Sequence, residues 1–230
     1  MSSSNQPPFF ECGFCGKKLV KKEAFDRHEC EKLKRFKLCK TKKGLNAFED
    51  YKYWLSRKGR TVKKLQTFMD SKFFNSFVEF QTFAADRGIP DKKLYIDFMA
   101  DYGLSPMLWR TENMYQKFIE YYDSEISPEF KVKLSLKTMM KLSNIMECDI
   151  ADVFDNLLPS EVARLIYERR LSPWLLLFSK RFKQYLHMLP NPSQHLMITT
   201  LIDPMEWQQR FKKEKEAVKK IKAIVSELDL

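Results

Sequence analysis

Hydrophobic side chains recur at intervals of three or four residues from Leu45 onward. The first two stripes are Leu45, Phe48, Tyr51 and Leu55, followed by Phe73, Phe77, Phe80 and Ala84. This period is typical of amphipathic helices that bury one face. Strand signals are scarce, because the chain has only 6 glycines and lacks the Asn-Gly and Asp-Gly pairs of tight hairpins. The pattern predicts an all-α helical body over residues 45–203.

Ser-Pro pairs mark several helix starts in this body, at residues 105–106, 127–128 and 172–173. Serine is a favoured N-cap residue, and proline is favoured at the first helical position. We expect the helix that begins at the first pair to run to about Tyr122.

The last segment, residues 204–230, is predicted to form one amphipathic basic helix. Its apolar positions recur at steps of three and four residues, with Glu214 interrupting one step, and lysines and arginines flank them. Packing on the helical body is the interpretation we favour. Pairing with a helix of a protein partner and lying on nucleic acid are the alternatives.

Charge adds a functional expectation to this picture. The formal net charge is +11, and residues 1–60 carry 16 Lys and Arg against 7 Asp and Glu. Residues 61–207 are nearly balanced, with 18 against 19, and residues 208–230 are basic again. A basic N-terminal block next to a neutral body favours nucleic acid as a partner over a merely solvated surface.

The N-terminus and the hydropathy bear on location. Residues 1–8 are polar and end in two prolines, which predicts a disordered tail without the basic and apolar regions of a signal peptide. No run of about 18 apolar residues occurs, so we expect no membrane partner. We expect a cytoplasmic protein, and in that reducing setting clustered cysteines favour a metal over disulfides.

Four of the five cysteines lie between residues 12 and 39. Cys12 and Cys15 are separated by two residues, twelve residues then precede His28, and Cys30 follows. Two thiols at this spacing, with an imidazole and a third thiol farther on, can close a tetrahedral Zn²⁺ site. Four protein ligands leave no position for water, so the predicted zinc is structural.

The identity of the fourth ligand stays open at this point. Residues two apart on a helix point in different directions, so Cys30 can bind only if the helix ends near His28. Cys39 is the alternative, but it would need the lysine-rich segment 32–43 to fold back over the ion. We favour Cys30.

Residues 9–31 resemble a Cys-Cys-His-Cys variant of the C2H2 zinc finger. Phe10, Leu19 and Phe25 stand where such a finger keeps its small apolar core. The resemblance implies a ββα-like module in front of the all-α body, and residues 32–44 then form a basic connector.

The cations around this module are the candidate contacts to nucleic acid. A single finger with lysines on its helix suits phosphate contacts better than base reading, so binding to duplex DNA should be weakly sequence-selective. The candidate residues are Lys17, Lys18, Lys21, Lys22, Lys34, Arg35 and Lys37. The rival interpretation is that the finger docks on a protein.

Sequence signals for catalysis are weak. The chain has no Gly-rich phosphate loop, no GxSxG and no HExxH motif. Asp149, Asp152 and Asp155 could form a metal-binding carboxylate set, but a helix cap and two solvated side chains explain them better. We expect a protein without enzymatic activity.

Four further motifs carry a wider resemblance. They are His28-Glu-Cys30-Glu31, Phe77-Val-Glu-Phe80, Leu171-Ser-Pro-Trp174 and Ile202-Asp-Pro-Met-Glu-Trp207. Their order is similar to that in a family of zinc-finger proteins from large contractile-tailed phages. The resemblance implies action in the cytoplasm of an infected bacterial host and assigns no catalytic residues.

Together these observations predict a DNA-binding accessory protein. The finger and the connector would grip phosphates, and the helical body would recruit replication, recombination or transcription machinery. The alternative is an interaction or assembly adaptor whose finger is a docking module for protein.

Overall fold

The computed structural model describes residues 9–228 and 230, apart from the side chain of Pro204. The predicted disorder of residues 1–8 lies outside the described residues. Within them, the chain forms fourteen α-helices and one two-stranded antiparallel sheet near the N-terminus. The prediction of an all-α body with a small N-terminal module is confirmed.

The N-terminal module is a short hairpin followed by one helix. Strand β1 (Phe10–Glu11) pairs with β2 (Lys18–Leu19), and Phe10 stands opposite Leu19. Helix α1 (Lys22–Asp26) follows directly. This is the ββα order that the resemblance to a zinc finger implies.

The chain divides into two units, and the first consists of the part up to Ala84 together with Lys93–Met114. Its helices are α2 (Glu31–Cys39), α3 (Lys42–Arg57), α4 (Leu65–Met69), α5 (Phe74–Asp86, which continues into the second unit) and α6 (Lys92–Asp101, whose first residue belongs to the second unit). Aromatic rings form its core: Trp54 lies 5.7 Å from Phe77 and 6.3 Å from Trp109 between ring centroids. Phe77 and Trp109 are fully buried.

The basic connector folds as α2 and the first turn of α3. Thr41 caps α3, because its Oγ1 accepts a hydrogen bond from the Gly44 backbone N–H at 3.1 Å. Gly44 lies against α2, and a Cβ there would come within 2.7 Å of the Cys39 Cα. Cys39 is buried at this corner, with 1% of its surface exposed.

The second unit comprises Ala85–Lys92 and Tyr115–Leu230. Its helices are α7 (Glu112–Glu125, which starts in the first unit), α8 (Pro128–Met146), α9 (Pro159–Tyr167), α10 (Pro173–Leu176), α11 (Lys180–Met188), α12 (Pro192–Thr199), α13 (Pro204–Lys213) and α14 (Lys215–Glu227). Its core is built around Trp174, Leu175 and Leu176 of α10, which are fully buried.

The Ser-Pro starts fold in two ways. Ser127 accepts a hydrogen bond from the Phe130 N–H and Ser172 from the Trp174 N–H, so both cap α-helices. Ser105 makes no such bond, and Pro106–Leu108 forms only a 3-10 turn before α7 begins at Glu112. The continuous helix expected from residue 105 is therefore divided.

The C-terminal segment is also divided. Glu214, with φ −108° and ψ 50°, separates α13 from α14. Trp207 packs edge-on against Trp174 at 5.6 Å, and Ile221 is fully buried in the core of the second unit. The C-terminal segment therefore packs on the helical body, which is the interpretation favoured from the sequence. No helix of the described residues is both long enough and apolar enough to cross a bilayer.

Candidate metal centre and basic surface

The hairpin sets the first two ligands of the centre. The Cys12 N–H donates to the Lys17 carbonyl oxygen at 3.0 Å, and the Gly16 N–H donates to the Cys12 carbonyl oxygen at 2.8 Å. Gly16 has φ +70°, a left-handed conformation that favours glycine over residues with a Cβ. This tight turn holds Cys12 and Cys15 on one side of the hairpin.

Four ligand atoms converge beside this turn. The sulfur atoms of Cys12, Cys15 and Cys30 and a ring nitrogen of His28 all lie within 4.8 Å of one another. The Cys12 and Cys30 sulfurs are 3.9 Å apart, and the Cys15 sulfur lies 3.3 Å from His28 Nε2. A tetrahedral ion with metal–sulfur bonds of about 2.3 Å requires sulfurs about 3.8 Å apart. The group therefore has the dimensions of a closed four-ligand metal site.

The break between α1 and α2 explains how His28 and Cys30 both reach this point. Helix α1 ends at Asp26, and the backbone at Cys30 is extended, with φ −88° and ψ 160°. Cys30 is also the N-cap of α2, since its sulfur accepts a hydrogen bond from the Leu33 N–H at 3.4 Å. Cys39, at the far end of α2, does not belong to the converging group.

Backbone N–H groups and neighbouring sulfurs shift the pKa values of two of the thiols. The backbone N–H groups of Cys15 and Phe14 hold the pKa of the Cys12 thiol at about 6, so it is largely a thiolate at neutral pH. The backbone of Lys17 lowers the pKa of the Cys15 thiol, but desolvation and the neighbouring Cys12 and Cys30 sulfurs outweigh it, and that pKa is raised. A bound cation would relieve this repulsion among the sulfurs.

A small apolar core supports the ligands. The rings of Phe10 and Phe25 lie 5.7 Å apart between centroids, and Leu19 stands opposite Phe10 in the hairpin. Phe14, next to the ligand turn, packs on Phe36 of α2 at 4.9 Å. The module is thus packed both within itself and against the helix that follows it.

The seven predicted phosphate contacts fall into two groups. Lysines on the hairpin, on and just before α1, and at the start of α2 are exposed to solvent: Lys17, Lys18, Lys21, Lys22 and Lys34. Arg35 instead donates to the Met69 carbonyl oxygen at 2.7 Å and pairs with Glu31 at 3.0 Å. Lys37 pairs with Glu29 at 2.9 Å.

Two features of the centre and of the helix that follows it were not predicted from the sequence. Arg35 ties α2 to the segment around Met69, a contact between residues 34 apart in sequence that no local pattern reveals. The capping role of Cys30 has a weak signal, since Glu31 stands in the first turn of α2 where an acidic residue favours a helix start.

Among the described residues, no second group of three or more Cys, His, Asp or Glu side chains converges as these four do. Asp149, Asp152 and Asp155 therefore do not come together as a metal-binding carboxylate set. Asp152 lies 3.9 Å from Arg181 across a largely solvated contact.

Comparison with known proteins adds no relative to this description. No family model matches the chain, and no curated protein and no solved structure is significantly similar to it. The similarity to phage zinc-finger proteins stays a prediction from motif order, and the function has to be argued from the residues of the site.

Proposed function

We propose that Cys12, Cys15, His28 and Cys30 bind one structural Zn²⁺ and that the resulting zinc finger contacts DNA phosphates. The convergence of the four ligand atoms within 4.8 Å carries this proposal. Three thiolates and one imidazole are a donor set that zinc occupies in many small modules, whereas magnesium and calcium prefer oxygen ligands. The ion fixes the shape of the finger and performs no chemistry, because no ligand position is left open.

The exposed lysines support phosphate binding. Lys17 and Lys18 lie on the hairpin, Lys21 and Lys22 at the start of α1, and Lys34 on α2, all without a carboxylate within ion-pair distance among the described residues. Arg35 and Lys37 are engaged within the protein, so we assign them to positioning of the finger. Phosphate contacts of this kind bind duplex DNA with little sequence selectivity.

In this proposal the helical body recruits a partner from the replication, recombination or transcription machinery, and the protein is not an enzyme. The resemblance of the motif order to phage zinc-finger proteins supports an action in the cytoplasm of an infected bacterium. Such an accessory role needs only a DNA-binding module and a protein-binding body.

A salt titration of DNA binding tests the proposal. We expect the affinity of the zinc-loaded protein for a duplex to fall steeply between about 50 and 200 mM salt. Substitution of Lys17, Lys21 and Lys22 by glutamine should reduce the slope of log K against log salt by about 3. The matched control is the glutamine triple variant at Lys133, Lys137 and Lys141, exposed lysines of α8, which should leave the slope unchanged. Absence of measurable binding at the lowest salt would refute phosphate binding.

A second function, docking of the finger on protein, is favoured by one observation. Phe9 and Val20 are exposed on the finger, by 46% and 62% of their surface. If the zinc-loaded protein fails to bind DNA, these two side chains are the surface to alter in a search for a protein partner. Loss of partner capture in a Phe9→Ser, Val20→Ser variant would support docking.

A further inference from the structure

A cavity of about 370 Å³ lies within the second unit, between α7, α8, α9, α10 and α13. Its floor is buried: Tyr122 is 2% exposed and Lys131 is 4% exposed. Its rim is open to solvent and includes Tyr167, Leu201 and Glu206. The volume is in the range of pockets that hold small organic molecules.

Lys131 places a positive charge at the floor of this cavity. Its Nζ donates one hydrogen bond, to the Asp123 carbonyl oxygen at 2.9 Å, and lies 5.4 Å from the centre of the Tyr122 ring. Within the part of the chain that the structure describes, the ammonium makes no ion pair, although it is almost fully buried. A buried ammonium has three donors, and charges removed from water are normally paired.

Desolvation and the nearby Arg210 guanidinium lower the pKa of Lys131 to about 8, while Asp123 and Glu214 act against that shift. The ammonium is therefore still the main form at neutral pH. Because this buried ammonium has no ion-pair partner among the described residues, a bound anion would offset part of the cost of its burial.

Two arginines stand beside Lys131, and each has a partner. Arg210 donates to the same Asp123 carbonyl oxygen at 2.9 Å and to Glu214 at 3.4 Å. Arg169 pairs with the Asp123 carboxylate at 2.8 Å and has φ +60°, a left-handed conformation that is unusual for a residue with a side chain. The lining carries three cations against the carboxylates of Asp123 and Glu206, and Lys131 is the cation that lacks a counter-ion.

The wall of the cavity suits an apolar group. Trp207 and Leu201 line it, and Tyr167 stands at the rim with 68% of its surface exposed. An apolar or aromatic body in this position would cover side chains that are now in contact with water.

We propose that this cavity binds a small organic anion, whose carboxylate or phosphate group pairs with Lys131 and whose apolar body lies against Tyr167, Leu201 and Trp207. The recessed position of Lys131 distinguishes this site from the basic surface of the finger. A phosphate in a rigid duplex cannot reach into the cavity to Lys131, which has 4% of its surface exposed, whereas the head group of a small molecule can. The site is therefore independent of DNA binding.

The test uses benzoate and phenyl phosphate as probes of the full-length, zinc-loaded protein, measured by calorimetry and by the fluorescence of the tryptophans. We expect millimolar or tighter binding of at least one probe, weakened about tenfold by Lys131→Met, because the charge-assisted contact is lost. Lys133→Met, on the exposed side of α8, is the control and should bind as the wild type does. Equal affinity of the wild type and Lys131→Met, or no binding of either probe, would overturn the proposal.

A second variant keeps the test decisive if Lys131→Met does not fold. Glu206 is exposed at the rim, and Glu206→Gln removes a negative charge without altering the floor. We expect this variant to bind the same probe about twofold to threefold more tightly at low salt, because repulsion at the mouth is reduced. Unchanged or weaker binding would contradict an anion site. A short duplex added as competitor should leave probe binding unchanged. Displacement of the probe by the duplex would show that the site binds DNA phosphates instead of a small organic anion.

Discussion

Cys30 combines two roles, as a metal ligand and as the N-cap of α2, and substitution can separate them. Serine is a good N-cap, so Cys30→Ser should keep the start of α2 while removing one thiolate from the metal. We expect the zinc affinity to fall about 100-fold or more.

Cys39→Ser should still bind one zinc ion per chain and lose about 1–2 kcal/mol of stability, because a hydroxyl is buried at the α2–α3 corner. Elemental analysis after dialysis against a weak chelator measures the zinc content of both variants. Retention of zinc by Cys30→Ser with loss of zinc by Cys39→Ser would reverse the ligand assignment.

The buried Lys131 gives the stability a pH dependence. The pKa of about 8 in the folded protein lies below that of an unfolded lysine, about 10.4. Between these values the unfolded chain binds more protons, so the free energy of unfolding rises as pH increases through the window. Lys131→Met should therefore exceed the wild type in stability most at about pH 7, and the difference should shrink towards about pH 9.5. Urea titrations at several pH values measure it. A difference that does not vary with pH would show that Lys131 titrates normally.

At the scale of elements, the corner between α2 and α3 depends on Gly44. A methyl group there would press on the backbone of Leu38 and Cys39, which belongs to a helix and cannot move aside easily. We expect Gly44→Ala to lower the free energy of unfolding by about 2–3 kcal/mol, measured by urea titration. Gly13→Ala is the control, since nothing lies within 4 Å of a Cβ at that position. Equal stability of the two variants would mean that the corner can open without cost.

How far the elements could be predicted depends on the range of the interactions that form them. The convergence of Cys12, Cys15, His28 and Cys30 follows from their local spacing, and the ββα order from the resemblance to a zinc finger. The structure has both. The stripe from Leu45 to Leu55 likewise gave α3. These features depend on residues close together in sequence.

The misplaced helix boundaries have non-local causes. The break at Glu214 lets Trp207 and Phe211 pack on Trp174, while Ile221 enters the same core from α14. The lysine-rich segment expected to be a connector is a helix because Phe36 packs on Phe14 and Arg35 reaches the Met69 carbonyl. The cavity beside Lys131 draws on five helices, and nothing in the local sequence around residue 131 indicates it.

At the scale of the whole molecule, the metal should control the finger and leave the helical units folded. The ligands lie in residues 12–30, whereas the buried aromatic core around Trp54 and the core around Trp174 lie outside them. Chelation should therefore unfold the finger, which has too little apolar core to fold without the ion. Helix α1 has only 5 residues, so the far-UV circular dichroism should change little, and the tryptophan fluorescence should stay constant.

Limited proteolysis detects the change that spectroscopy does not. Trypsin should cut at Lys17, Lys18, Lys21 and Lys22 rapidly in the chelated protein and slowly after zinc is restored, because local unfolding exposes these bonds. Cleavage within α8 should proceed at the same slow rate in both states, which provides the internal control. Cooperative loss of the whole far-UV signal on chelation would instead show that the ion supports the helical units as well. In that case Arg35 and Phe36, which join α2 to its neighbours, would be the contacts through which the finger stabilises them.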